Sequence, residues 1–329
     1  MTDKGKAWLM ALFLGIVLPG LLFTAAEKIL MNQNSAETAD ELSNETLYIS
    51  NTPEGKEALI PVLMTDGSVV GLPISQYLTG VLLGEMPADF DTEALKAQAV
   101  VARTYAFKRN MSSQKHIQGA VCTEASCCQS YISVSDYLAA DGTQEAVNKV
   151  HDAVNSTKGQ VLTYDGALIE ATYFSCSGGR TEDAQAVWGA DIPYLQAVDS
   201  PGEENAAYYK NTVKISAKEF AAALGISAVG SPSGWLGSAT YTSGGGVDTM
   251  IIAGKTFSGI QLRQMLGLRS TAFTIMPVGD YFVIQTRGFG HRVGMSQYGA
   301  EAMAVGGSTY EAILQHYYPG TVLKTDFKN

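Results

Sequence analysis

The sequence predicts an α+β fold that follows a single N-terminal transmembrane helix and a polar linker. Three features lead to this prediction. They are an uncharged run at 7–26, an acidic stretch poor in large apolar side chains at 27–58, and a region at 59–329 in which strand-like and helix-like segments do not alternate regularly. Irregular order favours α+β over a doubly wound parallel sheet. Hydrophobic residues make up 46% and charged residues 16% of the 329, which is enough apolar material for a sizeable core.

The run at 7–26 has the length that a helix needs to cross about 30 Å of hydrocarbon. Lys4 and Lys6 precede it, and basic flanks place residues 1–6 in the cytoplasm and the rest of the chain outside. We therefore expect a single-pass protein of the cell membrane with an extracytoplasmic domain. Cleavage after the small residues Thr24-Ala25-Ala26 stays open, and a buried core helix is the alternative to a membrane span.

The stretch at 27–58 reads as a flexible tether, because it is polar and acidic. It holds seven acidic and two basic residues, so it carries half of the chain's net charge of −10. A strong nucleic-acid binder normally shows a basic patch or a high pI. The sequence pI of about 4.9 excludes nucleic acid as the expected partner.

The globular region is predicted to open with two helices. Ser75 is expected to cap the first, which ends near Glu85 because Pro87 follows. Asp91 is expected to cap the second, from Thr92 to about residue 110. Further strands are predicted at 160–164, 167–175 and 281–286, and short helices at 217–224 and 259–266. A Gly- and Ser-rich stretch at 226–250 indicates a sub-domain around 205–275.

Glu85 is a carboxylate in an unfavourable place. A helix C-terminus disfavours negative charge, and the neighbouring Leu82, Leu83 and Met86 would desolvate it. Both effects are expected to raise its pKa, as a general acid that protonates a glycosidic oxygen requires. The alternative is an ordinary surface glutamate.

The second predicted helix carries Gln98 and Arg103 among small apolar residues. A polar side chain on the buried side of such a helix needs a partner. Arg103 can pair with Glu85 or with a substrate, or both can face water.

Three of the four cysteines lie within seven residues, and a histidine precedes them. The set is His116, Cys122, Cys127 and Cys128. One imidazole and three thiolates can bind zinc tetrahedrally, and four protein ligands make such a site structural. A disulfide is the main rival in an extracytoplasmic domain. Cys176 stands apart, as a small buried hydrophobe or an alternative ligand.

Two glycine-rich stretches hold the remaining candidates. TYFSCSGGRTED places Ser175 and Ser177 at the end of a strand, where hydroxyls can bind sugar; ordinary turn chemistry is the alternative. GFGHRVGMSQYGA offers three binding groups, His291, Ser296 and Gln297, among glycines that let the backbone approach a ligand. A hydrogen-bonded structural role is the alternative for His291. The sequence lacks both Gly-x-Ser-x-Gly and His-Glu-x-x-His, which weakens serine-hydrolase and zinc-peptidase interpretations.

Several motifs together resemble the SpoIID/LytB family. They are YLTGVLLGEMP, LKAQAVVARTYA, YFSCSGGRTE with IPYLQAV, and GFGHRVGMSQYGA, in this order from about residue 59 to the C-terminus. The resemblance implies a SpoIID-type domain. Sporulation members are lytic transglycosylases that act on peptidoglycan glycan strands whose stem peptides an amidase has removed. They work between mother cell and forespore during engulfment, with that amidase and a polytopic membrane protein as partners.

The resemblance also implies roles for individual residues. The family's catalytic glutamate matches Glu85, a family active-site arginine matches Arg103, and a family tyrosine matches Tyr194. Clostridial members carry a zinc site whose spacing fits His116, Cys122 and Cys128, with the second histidine falling on Cys127. The cysteine at 176 departs from the threonine or serine expected in that motif.

Three other functions stay open at this point. The chain can be a hydrolytic muramidase, if Asp89, Asp91 or Glu93 faces Glu85 as a second carboxylate. It can be a non-catalytic enhancer of a cell-wall amidase, since family relatives act by binding. The third is an enzyme with a catalytic zinc. Four protein ligands would leave that zinc no open coordination position for water or substrate.

Overall fold

The computed structural model describes residues 57–112, 115–227 and 230–327. The predicted membrane segment at 7–26 and all but the end of the predicted tether lie outside these residues. In the described part of the chain, no helix combines the length and the apolar character needed to cross a bilayer. The chain divides into two compact units: the first contains residues 57–85 and 106–143, and the second contains 86–105 and 144–327. Both mix helices and strands, which confirms the α+β prediction.

The first unit is built around a small sheet and one buried helix. Its elements in chain order, with a helix that runs through both units, are β1 (Leu59–Leu63), β2 (Val69–Pro73), α1 (Ile74–Glu85), α2 (Thr92–Ser112, divided between the units at residue 106), β3 (Val121–Cys122) and α3 (Val134–Ala139). Strand β1 lies in the centre of the sheet, antiparallel to β2 and parallel to β3. Helix α1 is apolar on most sides and is almost wholly buried, so packing rather than amphipathic patterning stabilises it.

The predicted cap of α1 is wrong. Ser75 lies inside the helix, one residue after its start. The acceptor at this end is the carboxylate of Glu57, which binds the Ser75 backbone N–H at 3.2 Å and its hydroxyl at 2.5 Å. A carboxylate at a helix N-terminus also favours the helix dipole. The cap of α2 is confirmed, because Asp91 Oδ1 accepts a hydrogen bond from the Glu93 N–H at 2.8 Å.

The second unit holds most of the chain. Its elements after α2 and α3 are α4 (Gln144–Ser156), β4 (Val161–Tyr164), β5 (Ala167–Leu168), β6 (Tyr173–Phe174), α5 (Ala184–Trp188), β7 (Lys210–Ser216), α6 (Ala217–Leu224), β8 (Leu236–Tyr241), β9 (Val247–Ile252), β10 (Lys255–Ser258), α7 (Gly259–Met265), β11 (Phe273–Val278), β12 (Tyr281–Arg287), β13 (Met295–Ser296), α8 (Gln297–Val305), α9 (Tyr310–Tyr317) and β14 (Val322–Lys324). Strand β12 pairs antiparallel with both β11 and β7, and β9 lies between β8 and β10.

A hydrophobic cluster overlaps the sub-domain predicted around 205–275. Residues between 215 and 284 form it, with the Phe282 ring in contact with those of Phe220 and Trp235. Ser216 and Ser258 cap α6 and α7, each in a capping box with the glutamate or glutamine three residues on. These caps account for the two short helices that the sequence predicts.

The strand predicted at 167–175 is broken. Only 167–168 and 173–174 pair with other strands, and Ile169 and Ala171 between them are buried. Strand β6 instead pairs in parallel with β13, so that Ser296 lies opposite Phe174. This pairing joins the two glycine-rich stretches, which are more than 100 residues apart in the sequence.

Candidate functional site

Glu85 is the last residue of α1, as the sequence predicts, and its side chain is partly buried. Its Oε1 accepts a hydrogen bond from the backbone N–H of Ser130 at 2.6 Å. This bond fixes the direction of the carboxyl group, and the neighbouring Leu82 and Leu83 are buried.

Two glycines explain why the Ser130 backbone comes so close to α1. A Cβ on Gly80 would lie 2.3 Å from the Tyr131 ring and 2.7 Å from the Ile132 carbonyl, and one on Gly84 would lie 3.0 Å from Ser130 Oγ. The Ile132 N–H donates to the Gly80 carbonyl at 3.1 Å. The segment 130–132 therefore lies directly on the last two turns of α1, where no side chain separates the backbones.

Gln129 and Tyr131 attach the same segment to Tyr77. The Tyr77 hydroxyl donates to Gln129 Oε1 at 3.0 Å, and the Tyr77 and Tyr131 rings stack with centroids 5.9 Å apart. Gln129 is fully buried. Two independent contacts thus hold the backbone that binds Glu85.

The predicted metal ligands lie together immediately before this segment. One ligand atom from each of His116, Cys122, Cys127 and Cys128 lies within 4.8 Å of all the others. His116 Nε2 is 3.3 Å from the Cys127 sulfur and 3.5 Å from the Cys128 sulfur. All four cysteines of the chain are free thiols in the structure. Three sulfurs and an imidazole nitrogen in one cluster are a donor set that suits zinc.

Arg103 and Gln98 belong to the part of α2 in the second unit. Arg103 is only 3% exposed and donates to the carbonyls of Val154 at 3.0 Å and Gln160 at 3.2 Å, so it holds the connection from α4 to β4. Gln98 is completely buried, and neither end of its amide has a hydrogen-bond partner in the described part of the chain. A buried amide without a protein partner is available to a ligand.

The Ser-Gly-Gly turn surrounds a buried carboxylate that the sequence did not reveal. Glu203 is 1% exposed, and its Oε2 accepts from the Ser177 N–H at 2.8 Å, the Ser177 hydroxyl at 2.9 Å and the Gly178 N–H at 2.9 Å. Cys176 is fully buried and its thiol donates to the same oxygen at 3.2 Å. Ser177 was expected to bind sugar, but its hydroxyl is committed to Glu203. Ser175 is partly exposed, and its carbonyl accepts from the Tyr298 N–H at 3.0 Å.

A buried ion pair connects the two glycine-rich stretches. Arg292 Nη1 lies 3.1 Å from Glu182 Oε1, and both side chains are at most 2% exposed. The other guanidinium nitrogens donate to the carbonyls of Ser177, Arg180 and Gly244 at 2.7–2.8 Å. Gly244 and its neighbour at 246 are needed here, because a Cβ on either would lie within about 2.5 Å of the Glu182 carboxylate.

The remaining predicted binding residues lie in the second unit, where ring contacts and hydrogen bonds hold them. His291 lies between the rings of Trp188 and Phe174, with centroids 5.4 and 5.6 Å away. Its Nδ1 accepts from the Val293 N–H at 3.1 Å. Burial, together with the nearby Arg263 guanidinium, lowers the pKa of His291 to about 4. The imidazole is therefore neutral near pH 7 and does not act there as a general acid.

Ser296, Gln297 and Tyr194 are all buried. The Ser296 hydroxyl caps α8 by accepting from the Gly299 N–H at 3.2 Å, so it is used structurally. The Nε2 of Gln297 has no hydrogen-bond partner among the described residues. The Tyr194 hydroxyl accepts from the Glu170 N–H at 3.0 Å.

The structure thus sorts the predicted site residues into three groups. Glu85 and the four predicted metal ligands lie in the first unit, joined by the segment at 127–131. Ser175, Ser177, His291, Ser296 and Gln297 come together in the second unit. The third group, Gln98, Arg103 and Tyr194, also belongs to the second unit, where Arg103 holds the connection from α4 to β4. Sequence reasoning missed Ser130, Glu203 and the Glu182–Arg292 pair, because each acts over a long sequence separation; the glycines four residues apart in α1 were the available signal for the first.

Comparison with known proteins finds relatives over most of the chain. The SpoIID family model, described as stage II sporulation protein, matches residues 65–164, which include Glu85, Arg103 and all four predicted metal ligands. The chain is 38% identical over 325 residues to stage II sporulation protein D of Bacillus subtilis (strain 168), covering 94% of each chain. It is 37% identical to the protein of that name from Bacillus amyloliquefaciens, covering 93% of this chain and 89% of the relative.

A further relative has a different name. The amidase enhancer of Bacillus subtilis (strain 168) is 30% identical over an alignment of 305 positions, which covers 75% of this chain and 40% of the enhancer. The family follows from the two stage II sporulation proteins D, since both are more than 30% identical and this chain covers almost all of each. The chain belongs to the SpoIID family of stage II sporulation proteins.

Proposed function

We propose that this protein is a lytic transglycosylase of peptidoglycan. It cleaves the bond between N-acetylmuramic acid and N-acetylglucosamine in peptide-stripped strands and leaves 1,6-anhydro ends. The observation that carries the proposal is the environment of Glu85, a partly buried carboxyl group at a helix C-terminus that one backbone N–H orients. It lies inside the region that matches the family model.

In the proposed reaction Glu85 serves as acid and then as base. The protonated carboxyl group donates its proton to the glycosidic oxygen while the bond from that oxygen to the anomeric carbon breaks. The 6-hydroxyl oxygen of the same muramic residue then attacks the anomeric carbon, and the ionised Glu85 accepts its proton. An attacking group within the substrate needs no positioned water and gains effective concentration. One carboxyl group therefore suffices, unlike the pair in ordinary glycosidases.

The nearby carboxylates support this reaction over hydrolysis. Asp91 Oδ1 is bound to the N–H of Glu93, and Glu93 itself pairs with Lys96 at 2.7 Å and accepts from the Tyr310 N–H at 2.7 Å. The carboxylates of Asp91 and Glu93 therefore stabilise the structure of the second unit. A hydrolytic muramidase would need one of them, or Asp89, to act as a second catalytic carboxylate.

We assign substrate binding first to buried polar side-chain atoms that lack a hydrogen-bond partner among the described residues. Gln98 and Gln297 carry buried amide atoms that have no hydrogen-bond partner among the described residues, and these atoms can bind the hydroxyl and acetamido groups of sugars. Tyr194, His291 and Ser175 are proposed to line the same binding region. Arg103 is proposed to act as a positioning residue, since its guanidinium is buried against backbone carbonyls.

Zinc is proposed to bind His116, Cys122, Cys127 and Cys128. The free thiols and the short distances between donors support a metal over a disulfide. When bound, zinc crosslinks the loop through four protein ligands and takes no part in chemistry. Its loop continues directly into Gln129 and Ser130, so the metal stabilises the backbone that orients Glu85.

We further propose that residues 7–26 anchor the protein in the cell membrane with residues 1–6 in the cytoplasm. The catalytic domain then works between the mother cell and forespore membranes during engulfment. Its proposed partners there are the sporulation amidase, which supplies stripped strands, and a polytopic membrane protein.

A non-catalytic amidase enhancer is the second candidate function. The 30% identity to a protein of that name favours it. In that case glycan binding would persist without cleavage, and substitution of Glu85 would change neither property.

Substitution of Glu85 by glutamine tests the proposal. Glu85→Gln keeps the shape and the acceptor for the Ser130 N–H but cannot exchange a proton, so cleavage of stripped strands should fall by at least about 100-fold. Glu145→Gln, on the exposed first turn of α4, is the matched control and should cleave normally. Equal rates for the two variants would contradict the proposal.

A further inference from the structure

One face of the sheet formed by β7 and β12 is unusually basic for a chain of net charge −10. Side chains alternate between faces along a strand. Lys210 and Lys214 therefore share the outer face of β7, and both are exposed. Arg287 lies directly opposite Lys210 on β12 and is exposed as well. Two cations in one cross-strand pair repel each other and destabilise the sheet.

Two aromatic rings follow the strands. The Gly288 N–H donates to the Tyr209 carbonyl at 2.9 Å, which extends the ladder by one step. Tyr208 and Phe289 lie next to this step and are partly exposed, with ring centroids 5.3 Å apart. We call Lys210, Lys214, Arg287, Tyr208, Phe289 and the adjacent Arg269 the basic–aromatic face.

Arg269 and Lys214 are held by rings rather than by carboxylates. The Arg269 guanidinium lies 5.2 Å from the Tyr208 ring centroid and 5.7 Å from that of Phe289, and Lys214 Nζ lies 4.2 Å from the Tyr281 ring centroid. A stacked guanidinium keeps its in-plane N–H groups for a bidentate acceptor. None of the four cations of the face forms a salt bridge within the described residues.

Three carboxylates act on the tyrosines near the face. Burial raises the pKa of Tyr209, and the carboxylates of Glu204 and Glu203 raise it further. Burial also raises the pKa of Tyr298, with smaller contributions from the Tyr208 hydroxyl and the Asp89 carboxylate. The Tyr298 ring meets the Phe90 ring edge-on at 5.1 Å.

We infer that the basic–aromatic face binds peptide-stripped glycan strands through the lactyl carboxylates of their muramic residues. This inference rests on the proposed function and specifies how the substrate is chosen. In an intact strand each lactyl group is tied up in an amide bond to the stem peptide and carries no charge of its own. Removal of the peptide leaves one carboxylate on every muramic residue, and the sugar rings between them supply apolar faces for Tyr208 and Phe289.

Binding of full-length protein to three kinds of strand tests the inference. Every protein carries Glu85→Gln so that strands stay intact. The strands are stripped strands, stripped strands with lactyl carboxylates reduced to alcohols, and strands with their peptides. The triple change Lys210→Gln, Arg269→Gln and Arg287→Gln should weaken binding to stripped strands about tenfold. Binding to reduced strands should not change.

A matched control is Lys324→Gln, which removes another exposed cation stacked on a ring, with Nζ 5.7 Å from the Phe327 ring centroid. It should bind stripped strands as the parent does. If the triple variant unfolds, the parent protein alone decides: rising salt should weaken binding to stripped strands and leave reduced strands unaffected. Equal affinity of the parent for stripped and reduced strands, or an unchanged triple variant, would overturn the inference.

Failure of the inference can be told apart from failure of the proposed function. Binding is measured on a protein that does not cleave, so it does not depend on catalysis. A chain that binds stripped strands through this face, but shows no cleavage before Glu85 is replaced, would keep the inference and refute the transglycosylase.

Discussion

At the scale of single residues, the Arg292 side chain of the Glu182–Arg292 pair joins its own loop to the loops that contain Arg180 and Gly244. The pair is almost wholly buried, and the guanidinium also binds three backbone carbonyls. Removal of one partner from such a pair leaves an uncompensated charge in the interior, which is costly. The pair therefore fixes the Ser-Gly-Gly turn relative to the loop that carries His291.

Glu182→Gln should lower the free energy of unfolding by about 3–5 kcal/mol, because Arg292 keeps its charge and loses its counter-ion. Urea denaturation measures the change. Lys96→Gln breaks the partly exposed pair with Glu93 and should cost less than about 1 kcal/mol. Similar losses in the two variants would show that the buried pair has no special role.

His291 gives the stability a defined pH dependence. Its pKa is about 4 in the folded protein and 6.5 in an unperturbed chain. Between these values the unfolded state binds more protons, so this contribution is complete above pH 6.5 and is lost as the pH falls toward 4. His291→Asn keeps an acceptor for the Val293 N–H and does not titrate.

From pH 6.5 to pH 4, the native protein should lose about 1–3 kcal/mol more stability than His291→Asn. Urea unfolding of both proteins at several pH values measures the difference. Parallel curves would mean that His291 titrates in the fold as it does in the unfolded chain, and that the Arg263 charge does not reach it.

At the scale of elements, the contact between α1 and the segment 130–132 decides where Glu85 points. Gly80→Ala should destabilise the protein by about 1–3 kcal/mol, since the new Cβ would overlap the Tyr131 ring and the Ile132 carbonyl. Cleavage should fall too, because displacement of the segment moves the Ser130 N–H away from Glu85.

Gly71→Ala is the control for this change within the same unit. Its Cβ would meet Leu59 at an ordinary 3.7 Å. Thermal unfolding and cleavage rates of the two variants give the answer. A Gly80→Ala protein that is destabilised but cleaves at the native rate would separate the packing of α1 from the orientation of Glu85.

The loop at 116–128 should hold zinc. Elemental analysis of the purified protein is expected to find zinc, and Cys122→Ser should lose it along with thermal stability. Cys176→Ser, which removes a thiol outside the cluster, should retain the metal. An intact mass lower by two hydrogens, without zinc, would establish a disulfide instead.

At the scale of the whole molecule, the sequence predicted what local rules determine. The cap at Asp91, the end of α1 at Glu85 and the short helices near 217–224 and 259–266 were predicted from short-range patterns, and the structure has all of them. The cap at Ser75 failed because the carboxylate that binds this helix end comes from Glu57, 18 residues earlier. The strand at 167–175 failed because only its two ends find partners.

The site was predictable in its residue types and less so in its contacts. Glu85 and the cysteine cluster stand out by position and spacing. Ser177 was misjudged because Glu203, 26 residues away, takes its hydroxyl. The ladder that aligns Lys210 with Arg287 joins strands more than 70 residues apart, and no local pattern reveals such a register.

The central claim is that Glu85 catalyses an intramolecular displacement. Mass spectrometry of the products from stripped glycan strands tests it most directly, with the full-length protein and its Glu85→Gln variant. We predict 1,6-anhydro ends from the native protein and no cleavage by the variant. Reducing ends from the native protein would contradict the claim, since water would then be the attacking group and a second carboxylate would be required.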